Sequence, residues 1–148
     1  MSTAPQTPKK FTILVLESHD VAMAVAQQFL VANGFDVSCV RDGDLALIAA
    51  TGRHRPDAAL LNYRLDRRIT TDVVRAIRKF EADHQKPRLP LVLASAEYGT
   101  PWESECLAAG ADRTLPMPFS DRELVAAVHG ALSDVRRSWR SLSKVDLH

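Results

Sequence analysis

Five side chains suited to nucleotide recognition lie within seven consecutive residues near the carboxyl end of the chain. An arginine guanidinium can hydrogen-bond O6 and N7 of guanine as a bidentate fork. A carboxylate can accept hydrogen bonds from guanine N1–H and N2–H₂ on the opposite edge. A tryptophan can stack on the purine face, and a second arginine can bind phosphate. The five residues are Asp134, Arg136, Arg137, Trp139 and Arg140.

Two other interpretations fit the same segment. Residues 133–148 could extend the preceding helix, with Val135, Trp139 and Leu142 continuing its apolar stripe and the basic residues lining another face. Those basic residues are Arg136, Arg137, Arg140 and Lys144. Arginine beside an aromatic residue is also typical of nucleic-acid binding, although the whole chain carries a charge of only +1. The residues alone leave all three alternatives open.

Apolar residues recur at two spacings along the rest of the chain. Short continuous runs are typical of strands buried on both faces, and amphipathic stretches are typical of helices. The predicted strands are 11–16, 35–40, 58–62, 91–94 and 113–115. The predicted helices are 20–32, 44–50, 71–82 and 101–109, followed by a fifth that opens on a capping box of Ser120 and Glu123. This alternation predicts an α/β fold with a doubly wound five-stranded parallel sheet.

The same patterns predict the core and the domain boundaries. The residues expected to face inward from helix 20–32 are Val21, Ala24, Val25, Gln28, Phe29 and Ala32. Those expected to face inward from helix 71–82 are Val73, Val74, Ile77 and Phe80. We predict a disordered leader over residues 1–10, one domain over 11–132 and an arginine-rich arm over 133–148.

Composition excludes several classes of protein. No apolar run approaches the roughly 18 residues of a membrane span, so we expect no membrane insertion. Cys39 and Cys106 have neither CxxC nor Cys/His spacing, which argues against a disulfide framework or a zinc site and indicates a reducing cytoplasm. The chain has no glycine-rich phosphate loop and no nucleophile with a base placed beside it. We therefore predict no enzymatic activity, no catalytic residues and no metal.

In a doubly wound sheet, ligands bind where the strands end at their carboxyl edge. The residues predicted there are Glu17, Ser18, Asn62, Ser95 and Met117. Residues 11–132 resemble the receiver domain of bacterial response regulators, the CheY-like fold. The segments that carry the resemblance are Ile13 to Leu16, Pro56 to Leu61, Leu93 to Ala96, Gly110 to Asp112, and Pro118 with Phe119.

The resemblance implies a phosphorylation site at this edge, and the residues there depart from it. A phosphorylatable receiver has two acidic residues after the first strand and an aspartate after the third, which hold Mg²⁺, and a lysine after the fifth. The residues at these positions are Glu17, Ser18, Asn62 and Met117. Only the position at which receivers carry a hydroxyl residue keeps its residue type, as Ser95. We predict a degenerate site that takes up no phosphoryl group on Asn62 and does not hold Mg²⁺ tightly.

Three further features near this edge are open to interpretation. Asp66 or Asp20 could act as a displaced phosphoryl acceptor, which would leave the receiver functional. Thr114 stands where receivers carry an aromatic switch residue. The loop after the third strand carries Arg64, Arg67 and Arg68, which are either solvated or able to assist a ligand if the arm folds across that face.

The degenerate site and the arm together resemble the CheY-like cyclic-di-GMP effectors, the Cle proteins. The arm carries the Asp-x-x-Arg-x-Trp-Arg pattern from Asp134 to Arg140. This resemblance implies that the arm, Lys144 included, binds cyclic-di-GMP as an intercalated dimer, with no other cofactor. It also implies a cytoplasmic monomer that binds no DNA and docks on the flagellar motor switch, reducing motility and favouring surface attachment. The alternative is a phosphorylation-independent protein–protein adaptor without a nucleotide ligand.

Overall fold

In the computed structural model, the backbone is described for residues 10–145 and the side chains for residues 10–137. The predicted leader over residues 1–10 lies outside this range except for its last residue. The side chains of Trp139, Arg140 and Lys144, three of the predicted ligand contacts, also lie outside it.

Five parallel strands form one sheet, as the sequence predicts. Its spatial order is β2-β1-β3-β6-β7, and the order reverses beside β1. These strands are β1 (Thr12–Leu16), β2 (Asp36–Val40), β3 (Ala58–Asn62), β6 (Leu91–Ser95) and β7 (Arg113–Pro116). The predicted polar loop after β3 contains a small antiparallel hairpin of β4 (Arg64–Leu65) and β5 (Arg68–Ile69). The α/β fold with a doubly wound sheet is confirmed.

Five helices cover the two faces of the sheet. They are α1 (Asp20–Ala32), α2 (Gly43–Thr51), α3 (Thr71–His84), α4 (Trp102–Ala109) and α5 (Asp121–Val145). Two apolar clusters lie on opposite faces of the sheet, one beneath α2, α3 and α4 and the other beneath α1 and α5. The central strands are buried on both faces, which explains their continuous apolar runs.

The stripe predicted to bury α1 was wrong except at Phe29, which is half-buried and packs against the core. Val21 is 77% exposed and Val25 is 37% exposed, whereas Met23, Ala26 and Leu30 face the core. Between Val21 and Ala32 the helix carries no charged residue. Apolar residues therefore lie on both its faces, and periodicity could not identify the buried one.

The core face of α3 was predicted correctly except at its last turn. Val73, Val74 and Ile77 are buried, but Phe80 is only half-buried. Glu81 is buried in its place, because its carboxylate accepts hydrogen bonds from Arg55 and Arg78 inside the protein.

The last helix begins as predicted and continues beyond the predicted domain boundary. The amide of Glu123 donates to the Ser120 hydroxyl at 3.1 Å, and the Ser120 amide donates to the Glu123 carboxylate at 3.1 Å, which forms the capping box. Leu132, predicted as the last residue of the domain, is buried within α5, which runs on to Val145. Residues 133–145 thus extend this helix. No described helix is both long and apolar enough to cross a membrane.

A buried cluster of ion pairs links the segments of chain at the amino edge of the sheet. Arg78 lies at its centre and donates to Glu81 at 2.9 Å and to Asp112 at 3.0 Å. Arg55 donates to Glu81 at 2.5 Å, and Arg88 donates to Asp112 at 2.9 Å. Burial lowers the pKa of Arg78, and the carboxylate of Glu81 opposes that shift. Because buried charges are tolerated only when they are paired, each group depends on its partners.

Replacing Arg78 with methionine should strongly destabilise the fold. The substitution keeps an unbranched apolar stem but leaves two buried carboxylates short of a partner, which costs about 3 kcal/mol. Lys79→Met is the matched control, because Lys79 pairs only with Asp83 at the exposed surface. Urea denaturation of both variants measures the difference. Equal free energies of unfolding would show that the cluster contributes nothing to stability.

Candidate functional site

A cleft of about 450 Å³ opens at the carboxyl edge of the sheet, where the sequence placed the degenerate site. It forms there because the parallel register brings the ends of β1, β3 and β6 to one level, as in the pairing of Asn62 with Ala94. Four of the five predicted residues line the cleft, namely Glu17, Asn62, Ser95 and Met117. Ser18 follows Glu17 in the first loop and is half-buried.

The buried carboxylate of Glu17 organises the floor of this cleft. Glu17 is only 5% exposed, and its Oε1 accepts from the amides of Ser18 at 3.0 Å and His19 at 3.1 Å. Its Oε2 accepts from Nδ2 of Asn62 at 2.7 Å. The Asn62 side-chain carbonyl in turn accepts from the amide of Arg64 at 3.2 Å. Both polar ends of Asn62 are therefore bonded within the protein.

The Mg²⁺ that the receiver resemblance implies does not fit these residues. A hard divalent cation requires several free oxygen ligands. Of the described residues at the positions where receivers hold Mg²⁺, Glu17 alone carries a carboxylate, and both of its oxygens accept protein hydrogen bonds, one of them from the amide N–H₂ of Asn62. The other carboxylate lining the cleft, that of Glu97, is paired with Arg64. Ser18 adds only a hydroxyl, whose buried oxygen has no hydrogen-bond partner among the described atoms. The donor set is that of a carboxylate hydrogen-bonded within the protein, not that of a metal site.

The remaining predicted residues close the other side of the cleft. Ser95 is buried, and its hydroxyl accepts from the amide of Glu97 at 3.0 Å. The amide of Met117 donates to the Ser95 carbonyl at 2.8 Å, which places the thioether where a receiver has a lysine ammonium. Thr114 lies on β7 with its hydroxyl donating to Glu103 at 3.1 Å.

An ion pair across the mouth of the cleft was missed by the sequence analysis. Arg64, from the hairpin after β3, pairs with Glu97, from the loop after β6. The guanidinium of Arg64 lowers the pKa of Glu97, and it also lies over the Tyr63 ring at 6.0 Å from the centroid. The Tyr63 hydroxyl donates to Glu105 at 2.7 Å, which raises the pKa of Tyr63 to about 12. No short motif links these distant residues, so sequence gave no signal for them.

The basic loop does not join the arm. Arg68 is bound by Asp44 and Asp72, and its guanidinium fits against Gly43, where a Cβ would lie 2.7 Å from it. Arg67 is exposed. The loop lies at the carboxyl edge, whereas α5 leaves the domain at the amino edge, so residues 133–145, the described part of the arm, do not fold across that face.

The two displaced acceptors considered above are surface residues. Asp66 faces His19 across 3.8 Å, and its side chain is 75% exposed. Asp20 pairs with Arg41 at 2.5 Å and is also exposed. Neither carboxylate lines the cleft.

The start of the arm is attached to the domain through two described side chains. Asp134 accepts from Nε of Arg113, the first residue of β7, at 2.8 Å. The guanidinium of Arg136 lies over the Phe11 ring, 5.4 Å from its centroid. Arg137 is exposed. Val135 is half-buried and continues the core stripe of Leu124 and Val128, as predicted.

Asn62→Asp should destabilise the protein in a pH-dependent manner. The change replaces a donor to Glu17 by a second carboxylate 2.7 Å away, and repulsion raises the pKa of the introduced carboxyl. A raised carboxyl pKa means a loss of stability above that pKa, of about 1–3 kcal/mol at pH 7, and recovery as the pH falls below it. Urea denaturation at several pH values measures this. Asn62→Ala removes one donor from Glu17 but adds no second charge, so its loss of stability should depend less steeply on pH; parallel pH profiles for the two variants would contradict the argument.

Comparison with known proteins agrees with this geometry. The family model of the response regulator receiver domain matches residues 13–129. The transcriptional regulatory protein PrrA of Mycobacterium tuberculosis is 33% identical over 132 residues, covering 89% of this chain and 53% of PrrA. The response regulator MprA of Mycobacterium leprae is 31% identical over 120 residues, covering 81% of this chain and 50% of MprA. The chain spans about half the length of these curated relatives.

Solved structures show the same fold. A CheY-like receiver domain protein from Methanospirillum hungatei superposes with a TM-score of 0.74 at 17% identity, covering 88% of this chain and 99% of that one. The receiver domain of a sensor histidine kinase from Pseudomonas aeruginosa superposes with a TM-score of 0.74 at 29% identity, covering 84% and 99%. That structure has a magnesium ion coordinated in its active site cleft. The family match, the topology and the position of the cleft agree, and the chain belongs to the response regulator receiver domain family.

Proposed function

We propose that this receiver domain signals without phosphorylation and responds to cyclic-di-GMP bound by the arginine-rich extension of α5. The observation that carries the proposal is the hydrogen bond from Asn62 to Glu17, which replaces a phosphoryl acceptor by an engaged amide. A domain that keeps the receiver fold but lacks the acceptor needs another input, and the arm supplies a nucleotide-binding set of residues.

The chemistry of the cleft supports the first half of this proposal. An amide nitrogen is no nucleophile towards phosphorus, and Met117 provides no positive charge to stabilise phosphoryl oxygens. Losing the carboxylates also removes the electrostatic reason for a lysine, since a lone ammonium would then face only Glu17. The departures at Ser18, Asn62 and Met117 are therefore mutually consistent rather than independent losses.

The chemistry of the arm supports the second half. The carboxylate of Asp134 can accept hydrogen bonds from the Watson–Crick edge of guanine. The guanidinium groups of Arg136 and Arg137 can donate paired hydrogen bonds to its Hoogsteen edge or to phosphate. Arg140 and Lys144 add positive charge, and Trp139 adds a stacking surface. An intercalated dimer of cyclic-di-GMP presents four guanines and four phosphates, which matches a set rich in arginine. The proposed site needs no metal and no further cofactor.

The downstream role rests on resemblance to the Cle proteins. We propose that the ligand-bound protein, a cytoplasmic monomer, docks on the flagellar motor switch, slows swimming and favours surface attachment. By name, PrrA is a transcriptional regulatory protein and MprA is a response regulator. We propose that this chain, in contrast to what the name of PrrA suggests, binds no DNA. Binding of DNA is therefore tested on this chain alongside binding to the motor switch.

A phosphorylation-independent adaptor without nucleotide is the second candidate. The observation favouring it is the exposed, uncharged face of α1, which includes Val21 and Val25 and is suited to a protein partner. The continuity of α5 through residue 145 also agrees with a simple helical extension. Nucleotide titration separates the two candidates, because the adaptor binds no nucleotide.

The protein should not accept a phosphoryl group from small donors. Mass spectrometry of intact protein after treatment with acetyl phosphate and Mg²⁺ should show no added phosphoryl group, since the only acceptor position carries an amide. Localisation of a stable phosphoryl group on Asp20 or Asp66 would instead identify a displaced acceptor and refute this half of the proposal.

Substitutions in the arm should weaken cyclic-di-GMP binding to an extent set by the contact that each one removes. Arg137→Ala and Arg140→Ala each remove a charged hydrogen-bonding fork worth about 1.5–3 kcal/mol, which weakens cyclic-di-GMP binding about tenfold to hundredfold. Lysine at these positions should restore little, because an ammonium cannot form the planar fork. Trp139→Ala should cost about 1–3 kcal/mol of stacking. Isothermal titration of the full chain measures these affinities.

The controls for this titration come from the cleft. Asn62→Ala and Met117→Ala should bind cyclic-di-GMP like the wild type, since the cleft lies at the other edge of the sheet. If the arm variants bind normally while the cleft variants fail, the ligand occupies the degenerate pocket. Adding purified flagellar switch protein or duplex DNA to the ligand-bound chain tests the two partner predictions; binding of DNA alone would refute this assignment.

A further inference from the structure

Arg113 connects β7 to the start of the arm. Its Nε donates to Oδ2 of Asp134 at 2.8 Å, and the two side chains are 45% and 37% exposed. The pair is thus held at the surface, with one face against the domain and the other towards solvent. It lies at the amino edge of the sheet, well away from the cleft that contains Asn62.

The approach of Arg113 to α5 depends on Gly130. A Cβ at Gly130 would lie 2.8 Å from Cζ of Arg113, 3.0 Å from Nη2 and 3.1 Å from Nη1. These nearly equal distances show that the guanidinium lies flat against the helix backbone. Glycine is unfavourable inside a helix relative to alanine, so its presence here is explained by the space that the guanidinium occupies.

The ion pair leaves hydrogen-bond donors of Arg113 next to an acceptor oxygen of Asp134. Within the described residues, Nη1 and Nη2 of Arg113 and Oδ1 of Asp134 make no hydrogen bond to protein. The next residue on this face of α5, one turn further on, is the exposed Arg137. Arg113, and to a smaller extent Arg137, lowers the pKa of Asp134, so the carboxylate is ionised and can only accept hydrogen bonds.

We propose that Arg113 is a further residue of the nucleotide site, holding Asp134 towards the N1–H and N2–H₂ edge of guanine and donating its terminal amino groups to the ligand. This inference rests on the proposed function, because it assigns a role within the same site. It adds a residue from the sheet to a site otherwise built from one helix. It also gives guanine selectivity a structural origin, since adenine presents neither donor to an ionised carboxylate.

A role limited to anchoring the helix predicts a different result. An anchor would stabilise α5 without distinguishing between bases, so its loss would weaken guanine and adenine ligands equally or affect neither. A positioning residue for Asp134 changes the ratio of the two affinities. That ratio therefore distinguishes the proposal from simple structural support.

The test is titration of cyclic-di-GMP and cyclic-di-AMP into the full chain and three variants. Arg113→Ala removes the guanidinium. Gly130→Ala keeps both charged residues and strengthens the helix, but its methyl group displaces the guanidinium. Arg122→Ala, on the exposed first turn of α5, is the control for loss of one positive charge. Thermal melts followed by circular dichroism check that each variant is folded.

We expect Arg113→Ala and Gly130→Ala to weaken cyclic-di-GMP binding about tenfold to hundredfold and to lower its preference over cyclic-di-AMP. Arg122→Ala should bind both nucleotides like the wild type. If the wild type binds cyclic-di-GMP and both test variants keep its affinity and preference, Arg113 is only an anchor and this inference fails while the proposed function stands. If the wild type binds no cyclic-di-GMP, the proposed function and this inference both fail.

Discussion

A buried carboxylate must find hydrogen-bond donors inside the protein, and this requirement shapes the carboxyl edge of the sheet. Glu17 is 5% exposed and meets the requirement with two backbone amides and the amide group of Asn62. No lysine ammonium takes part among the described residues. Because these donors satisfy the carboxylate within the protein, Glu17 needs no cation beside it, and the same hydrogen bond engages the amide at the position where receivers carry their phosphoryl acceptor.

The two edges of the sheet consequently differ in what they can do. At the carboxyl edge, the amide of Asn62 and the Arg64–Glu97 pair join the loops that follow β1, β3 and β6. At the amino edge, the buried cluster around Arg78 fastens the loops, and the extension of α5 departs with exposed basic residues. The residues with which receivers accept a phosphoryl group are replaced at Asn62 and Met117 on the carboxyl edge, and the ligand site that we propose lies at the amino edge.

The sequence predicted the sheet, the helices and the cleft well, because continuous apolar runs and end-of-strand residues follow directly from a doubly wound fold. It failed where the pattern was ambiguous or the contact was distant. The face of α1 was misassigned because apolar residues such as Val21 lie on both sides. The partner of Asp134 was not foreseen because Arg113 is 21 residues away and follows no motif. Gly130 was the one available signal, since a glycine inside a predicted helix requires a reason.

The neighbouring residues Asp112 and Arg113 place the arm next to the most strongly paired part of the domain. Asp112 joins the buried cluster through Arg78, and Arg113 holds Asp134 on α5. A ligand that engages Asp134 would therefore act on β7 one residue away from a rigid cluster, rather than across the sheet on the cleft. A small shift is amplified into a larger rearrangement only where a packed element has a second arrangement, so we expect the effect of such a ligand to stay at the amino edge. The arm and its immediate surface would then form the signal presented to a partner.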